Sequence, residues 1–246
     1  MYADFALVYD RLMAEVDYAA WARHYRDLLA ANGVTEGAFV LEAACGTGSL
    51  TIPLAQHFRL LPSDLSEDML SVAAAKARAA GLSLRFLRQD MRALSAHKLA
   101  DALICGCDGV NYLLDDQALR DFFHSAHRVL KPGGVLAFDL SSRDKLSRVL
   151  GSGPQVLQET DICYIWENAW EEEGSLLHMS LAIFLREQDG RYVRINEEQT
   201  QRAYTEEELR SALQEEGFTK INCYGNYTTR KPAHNAQRLH ITAIKE

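Results

Sequence analysis

Glu42, Gly46 and Gly48 lie in the run Val40-Leu41-Glu42-Ala43-Ala44-Cys45-Gly46-Thr47-Gly48, an apolar stretch followed by an acid and two glycines one residue apart. Residues of these types at this spacing can cradle a nucleoside-bearing ligand. Glycines let a backbone approach closely, and the helix that follows opens its free N–H groups toward whatever sits there. Three more acids recur downstream, each just after a short apolar run: Asp64, Asp90 with Met91 behind it, and Asp108 behind Cys107. A carboxylate in the position of Asp64 can accept both hydroxyls of a ribose, a role that would serve any adenosine ligand. A dinucleotide site would ask for Gly-x-Gly-x-x-Gly, yet the third position is Thr51, so the pyrophosphate fingerprint is incomplete. A ligand without phosphates needs no such cradle, and its amino group can use a carboxylate or a backbone carbonyl.

These residues need a scaffold that brings them together, and the apolar periodicity supplies one. Residues up to about 32 read as helix, with Tyr18, Trp21, Ala22, Tyr25, Leu28 and Leu29 at helical spacing and Gly33 closing it. Strands are expected at 38–42, 60–63, 83–87, 101–105 and 135–139, and helices at 49–57, 66–81 and from Asp115 or Asp116 to 130. Ser66 caps one of these helices, and Lys131-Pro132-Gly133-Gly134 turns the chain out of another. Such alternation predicts an α/β fold, a Rossmann-like seven-stranded, mostly parallel sheet with helices on both faces. All four acid-bearing positions then fall at carboxyl ends of strands, where open sheets bind ligands. After Gly151-Ser152-Gly153-Pro154 the pattern changes to longer strands at 156–170, 175–186 and 191–204, with turns at Glu173-Gly174 and Asp189-Gly190. This is an antiparallel β insertion over 155–204, expected to act as a lid, between the two parts of the main domain at 1–154 and 205–246. A capping box at Thr205 opens a further helix, and strands at 218–224 and 238–244 complete the sheet.

With 246 residues and an apolar fraction of 48%, the chain can bury a substantial core. Its net charge of -8 argues against loose binding to nucleic acid or to an anionic membrane. The five cysteines show neither a disulfide framework nor zinc spacing, and Met1-Tyr2-Ala3-Asp4 lacks the basic-then-apolar layout of a secretion signal. The expectations are a reducing, cytoplasmic setting, no metal, no DNA and no membrane partner, and a monomer or homodimer.

The chain resembles the class I S-adenosylmethionine-dependent methyltransferases. The resemblance is carried in order by Val40 to Gly48, by Asp64-Leu65-Ser66-Glu67-Asp68-Met69-Leu70, by Gln89-Asp90-Met91 and by Leu130-Lys131-Pro132-Gly133-Gly134. It extends more weakly to Tyr9-Asp10 and to Arg202-Ala203-Tyr204-Thr205, as in small-molecule-type members with an antiparallel insertion. It implies S-adenosyl-L-methionine as cofactor, with the methionine end along the Ala44–Gly48 backbone and past Cys107. It further implies the ribose on Asp64, the adenine against Leu65 and Met91, and the adenine amine at Asp90. The cofactor set is then Glu42, Ala44, Cys45, Gly46, Gly48, Asp64, Leu65, Met69, Asp90, Met91 and Cys107, with Glu42 standing where many members carry Asp.

The implied reaction is direct methyl transfer to a nitrogen or oxygen of a small-molecule acceptor. The alternatives are a methyltransferase acting on RNA or protein, and a non-catalytic partner protein that binds S-adenosylmethionine. The N-terminal helices over 1–33 are expected to cover the site together with the insertion, and Tyr9, Asp108 and Tyr112 are candidate bases by their place at a strand end or in that cover. Cys107 reads better as a small buried residue than as a nucleophile, because Gly106 rather than Pro precedes it. His178 is the histidine in the insertion with a candidate role.

Overall fold

The computed structural model describes residues 2–246; Met1 and the side chains of residues 2–4 lie outside the described part. Two helices come first, α1 (Tyr2–Leu12) and α2 (Tyr18–Ala31). Asp17 starts α2 by accepting the Ala20 N–H at 2.8 Å. Strands and helices then alternate: β1 (Phe39–Ala43), α3 (Thr51–Leu54), β2 (Arg59–Asp64), α4 (Glu67–Ala79), β3 (Leu87–Arg88), β4 (Ala100–Cys105), α5 (Asp116–Val129) and β5 (Leu130–Ser141). A second group, β6 (Gln155–Gln158), β7 (Ile162–Glu171), β8 (Leu176–Arg186) and β9 (Tyr192–Arg202), precedes α6 (Glu206–Glu215), β10 (Phe218–Gly225) and β11 (Arg238–Lys245).

The main sheet has seven strands in the order β3-β2-β1-β4-β5-β11-β10. Its pairs are parallel from β3 to β5, and β11 runs antiparallel to both β5 and β10. The central strands are apolar on both faces because both are covered. Val40, Ala102, Ile104, Val135 and Ala137 pack under Trp21, Tyr25 and Leu29 of α2. The alternate residues Leu41, Leu103, Leu136 and Phe138 pack on Phe122, Phe123 and Ala126 of α5 and on Leu209 and Leu213 of α6. Each fully buried phenylalanine in that layer contributes roughly 1.5–3 kcal/mol of burial. The seven-stranded, mostly parallel architecture expected from the alternation is the one found.

The other four strands form a separate antiparallel sheet, β6-β7-β8-β9. Its inner face offers Ile162, Leu181, Ile183 and Ile195 to Phe5 and Val8 of α1. Helix α1 is therefore held between this sheet and the main domain, with Met69 of α4 packed on the same cluster.

Four boundaries differ from the sequence reading. The expected strand at 156–170 is two strands, because the chain turns at Thr160-Asp161 and Glu159 N–H bonds the Ile162 carbonyl at 2.9 Å. The helix expected at 49–57 shrinks to α3, whose Pro53 offers no backbone donor and whose chain must already return to β2 at Arg59. The strand expected at 83–87 pairs only through Leu87 and Arg88, a short edge against Ser63 and Asp64. The Lys131–Gly134 turn is a bulge at the start of β5, where the pairing of Ala100 with Leu130 jumps to that of Ala102 with Val135. Among the described residues no helix is long and apolar enough to cross a membrane.

Candidate functional site

The glycine turn is a backbone cradle closed by Asp64. Ala44 and Gly46 leave β1 with φ of 53° and 54°, and the Cys45 N–H bonds the Ser63 carbonyl at 3.0 Å. Asp64, at the end of β2, accepts the Gly46 N–H at 2.8 Å on Oδ2 and the Ser66 N–H at 2.9 Å on Oδ1. Burial raises its carboxyl, and these amides pull it back toward ionisation. Ser66 itself caps α4 through the Met69 N–H, so Asp64 is not needed as the helix cap.

Glu42 lies beneath this turn at 1% exposure. Its Oε2 is buried without a hydrogen-bond partner, and burial pushes the carboxyl up to about 8. A buried carboxyl with one unpartnered oxygen at a cavity wall suits a ligand carrying positive charge, which would favour its ionised form. Gly48 differs from the other residues assigned to cofactor binding because it does not line the cavity: a Cβ there would stand 3.0 Å from Ala73 Cβ, so this glycine lets the turn pack on α4. The other ten residues in that set all face one cavity of about 720 Å³, a size typical of small-molecule sites. Leu65 is 59% exposed on its wall, an apolar surface left for a ligand to cover. Asp90 is tied to Arg92, whose Nη2 donates at 2.6 Å, and that bond holds the carboxyl below its usual range.

The chain after β4 is held from below by residues that the sequence reading missed. Cys107 and Asp108 both sit in the left-handed region, with φ of 56° and 66°. Asp139 of β5 fixes them by accepting the Cys107 N–H at 2.9 Å and the Asp108 N–H at 3.3 Å. The Tyr25 hydroxyl of α2 donates to the same carboxylate at 2.6 Å. Arg238 of β11 bridges Asp139 and Asp108, reaching Asp108 at 2.6 and 2.9 Å, and its guanidinium lies over Trp21. An acid inside the apolar run 135–140 was the available signal for Asp139, since such residues are rarely buried without a partner. Beside this network the rings of His24 and His240 stand 4.4 Å apart. Neither His240 nitrogen has a hydrogen-bond partner, and burial pushes that ring down to about 2.

Asp108 therefore requires a correction as a candidate base. It does not line the cavity, Ser141 and Arg238 hold both its oxygens, and Arg238 with Lys145 outweighs burial to keep its carboxyl at about 2. Tyr9 and Tyr112 do line the cavity. Burial raises the Tyr9 hydroxyl well above its ordinary value, so it remains a neutral phenol rather than a phenolate base. Cys107 is half-buried at the cavity wall rather than fully buried as expected, and the loss of solvent around its thiol raises it. His178 stands outside the cavity, beside Glu171 and Thr200 on the exposed face of the second sheet.

The roof comes from α1 and β9. Phe5, Tyr9 and the stretch Glu197-Glu198-Gln199-Thr200 line the same cavity as Glu42 and Asp64. Asp10 clasps the glycine turn, accepting Thr47 Oγ1 at 2.6 Å and Ser49 Oγ at 3.0 Å, and Lys76 of α4 donates to Asp10 at 2.5 Å. Tyr112 donates to Gln199 Oε1 at 2.9 Å, joining β9 to the turn after β4. Among the described residues no group of three or more His, Cys, Asp or Glu is arranged to hold a metal ion.

Comparison with known proteins agrees with this geometry. The model of a methyltransferase domain matches residues 40–134. A Bacillus subtilis protein named "Putative methyltransferase YqeM" is 35% identical over 100% of this chain and 97% of its own length. A Geobacillus protein named "Putative methyltransferase GWCH70_2453" is 32% identical over 99% of both chains. The crystal structure of an S-adenosylmethionine-dependent methyltransferase from Clostridium acetobutylicum superposes with a TM-score of 0.89 at 33% identity, covering 99% of this chain and 98% of that one.

Proposed function

The chain belongs to the class I S-adenosylmethionine-dependent methyltransferases, and on that footing we propose that it moves the methyl group directly to a nitrogen or oxygen of a small-molecule acceptor. The observation that carries this reading is a single shared space: the wall formed by Glu42, Asp64 and Asp90 and the roof formed by Tyr9 and Glu197–Thr200 bound one cavity. S-adenosylmethionine, when bound, supplies a methyl group already activated on a sulfonium. The residues fit it: Asp64 for the ribose hydroxyls, Leu65 and Met91 for the adenine faces, Asp90 for the adenine edge, and the Ala44–Gly46 backbone with Glu42 for the cationic methionine end. What the chain then contributes is position and dryness, which bring an acceptor to near-attack distance. Residues 155–204 with α1 act as the cover.

An acid-lined cavity and an overall charge of -8 favour this reading over an RNA substrate. All five cysteines are free thiols, which supports a reducing cytoplasmic setting. The test is thermal shift against S-adenosylmethionine, S-adenosylhomocysteine and NADH, followed by methyl transfer from labelled cofactor to extract metabolites. Ligand at 100 times its dissociation constant adds ~2.7 kcal/mol, and only the first two should do so. Stabilisation by both with every low-molecular-weight fraction left unlabelled overturns the small-molecule acceptor.

A further inference from the structure

Resting on the methyl-transfer reading of the same cavity, we propose that the acceptor carries an ammonium group and that Glu197, in the roof, is the residue that binds it.

The side chains of β9 alternate between two faces, as those of any strand do. Ile195 on the inward face is buried under α1. Glu197, two residues on, faces the same way and is 6% exposed, yet it carries a carboxylate where the pattern calls for another apolar residue. It lines the cavity, and among the described residues no Lys, Arg or His stands within ion-pair distance of it. Burial raises its carboxyl, and the neighbouring Gln199 side chain offsets this in part. Glu197 is thus a buried acid that meets no Lys, Arg or His among the described residues, in the wall of a space that a ligand fills.

Its place identifies that ligand as the acceptor rather than the cofactor. Gln199 is hydrogen-bonded to Tyr112, in the turn after β4, so this part of β9 stands over the end of β4 and the Gly106–Cys107 backbone. That is the end of the cavity to which the methyl-transfer reading assigns the methionine end of the cofactor. Tyr9 and Tyr112 also line the cavity and offer ring faces that attract a cation. An anionic acceptor finds no complement here. Arg88 is the cation among the described lining residues, and it is paired with Glu67 at 2.7 Å.

The chemistry is consistent with N-methylation. The bound ammonium loses one proton to water, and the lone pair of the resulting amine forms the new N–C bond. The C–S bond breaks with its electron pair left on sulfur, and the N-methylammonium product is again a cation.

The test titrates the S-adenosylhomocysteine-loaded protein calorimetrically with benzylamine, benzyl alcohol and benzoate, three probes of like shape and different charge. The expected result is that benzylamine binds at least about tenfold more tightly than benzyl alcohol and that benzoate does not bind. In Glu197→Gln, of nearly equal volume, that preference should shrink to about threefold or less while S-adenosylhomocysteine affinity is kept, and Glu197→Asp should restore part of it. Equal binding of the three probes, or a preference that survives Glu197→Gln, overturns the assignment while leaving the methyltransferase reading intact. Failure of S-adenosylhomocysteine to bind the wild-type protein is a different outcome, and it removes both.

Discussion

Gly46 and Asp64 are one unit: the amide of the turn after β1 is held 2.8 Å from a carboxylate at the end of β2, eighteen positions later. Asp64 therefore has two duties, fixing the cradle and facing the ligand with its remaining lone pairs. Asp64→Ala removes both at once. The expected outcome is an S-adenosylhomocysteine affinity weakened about 100-fold, roughly 2.7 kcal/mol, measured by calorimetry.

The two glycines of the turn separate into different effects. A methyl at Gly46 meets no protein atom within 4 Å and intrudes on the cavity wall, whereas one at Gly48 meets Ala73 at 3.0 Å. Gly48→Ala should lower unfolding stability by ~2–4 kcal/mol, from the left-handed backbone and the overpacking together. Gly46→Ala should cost only ~1–2 kcal/mol of stability but abolish tight cofactor binding. Urea unfolding paired with ligand titration distinguishes the two.

Arg238 neutralises two buried acids. Arg238→Met removes the guanidinium that bridges Asp108 and Asp139 and leaves only the more distant charge of Lys145 beside them, which should destabilise the fold by ~3–5 kcal/mol. Adding Asp139→Asn to Arg238→Met should recover part of that loss in the same unfolding assay.

Glu42 links cofactor binding to pH. Its native carboxyl keeps its proton to about 8, against an ordinary value of 4.5. Between those values the native state binds more protons than the unfolded one, so stability of the ligand-free protein falls as pH rises, by up to ~1.4 kcal/mol per unit. A cationic ligand beside Glu42 favours the carboxylate and so expels a proton. Calorimetry at pH 7 in buffers of different ionisation enthalpy should show proton release on S-adenosylmethionine binding, absent in Glu42→Gln.

His240 acts in the opposite direction. Its native ring stays neutral down to about 2, whereas an unfolded histidine takes a proton near 6.5. Below 6.5 the unfolded state binds more protons, and stability should fall by up to ~1.4 kcal/mol per pH unit. His240→Phe should remove that contribution, read as a shallower loss of urea stability between pH 7 and 5.

The parts of the site that were legible in the sequence are those encoded over short distances. The Glu42–Gly48 run, the Ser66 cap and the alternation that lines up Asp64 and Asp90 all depend on neighbours within a turn or a strand. Arg238 and Asp108 lie 130 positions apart, and nothing near either residue names the other. Asp108 looked like a free acid at a strand end because its partners arrive from β5 and β11. Glu197 was hidden differently: alternation along β9 gives the face it shares with Ile195, but only the folded chain reveals that this face looks into a cavity. The break between β6 and β7 escaped because Thr160-Asp161 is a short polar interruption in a run that otherwise alternates like one strand.

The clasp of Asp10 by Lys76, Thr47 and Ser49 has a consequence for the order in which the molecule is made. Helix α1 has its polar anchor up to 66 positions downstream, and its apolar seat on Ile183 and Ile195 comes later still. This helix, made before all its partners, is therefore among the last elements to be seated, and the nascent chain must carry Phe5 and Val8 without their partners until β9 has emerged.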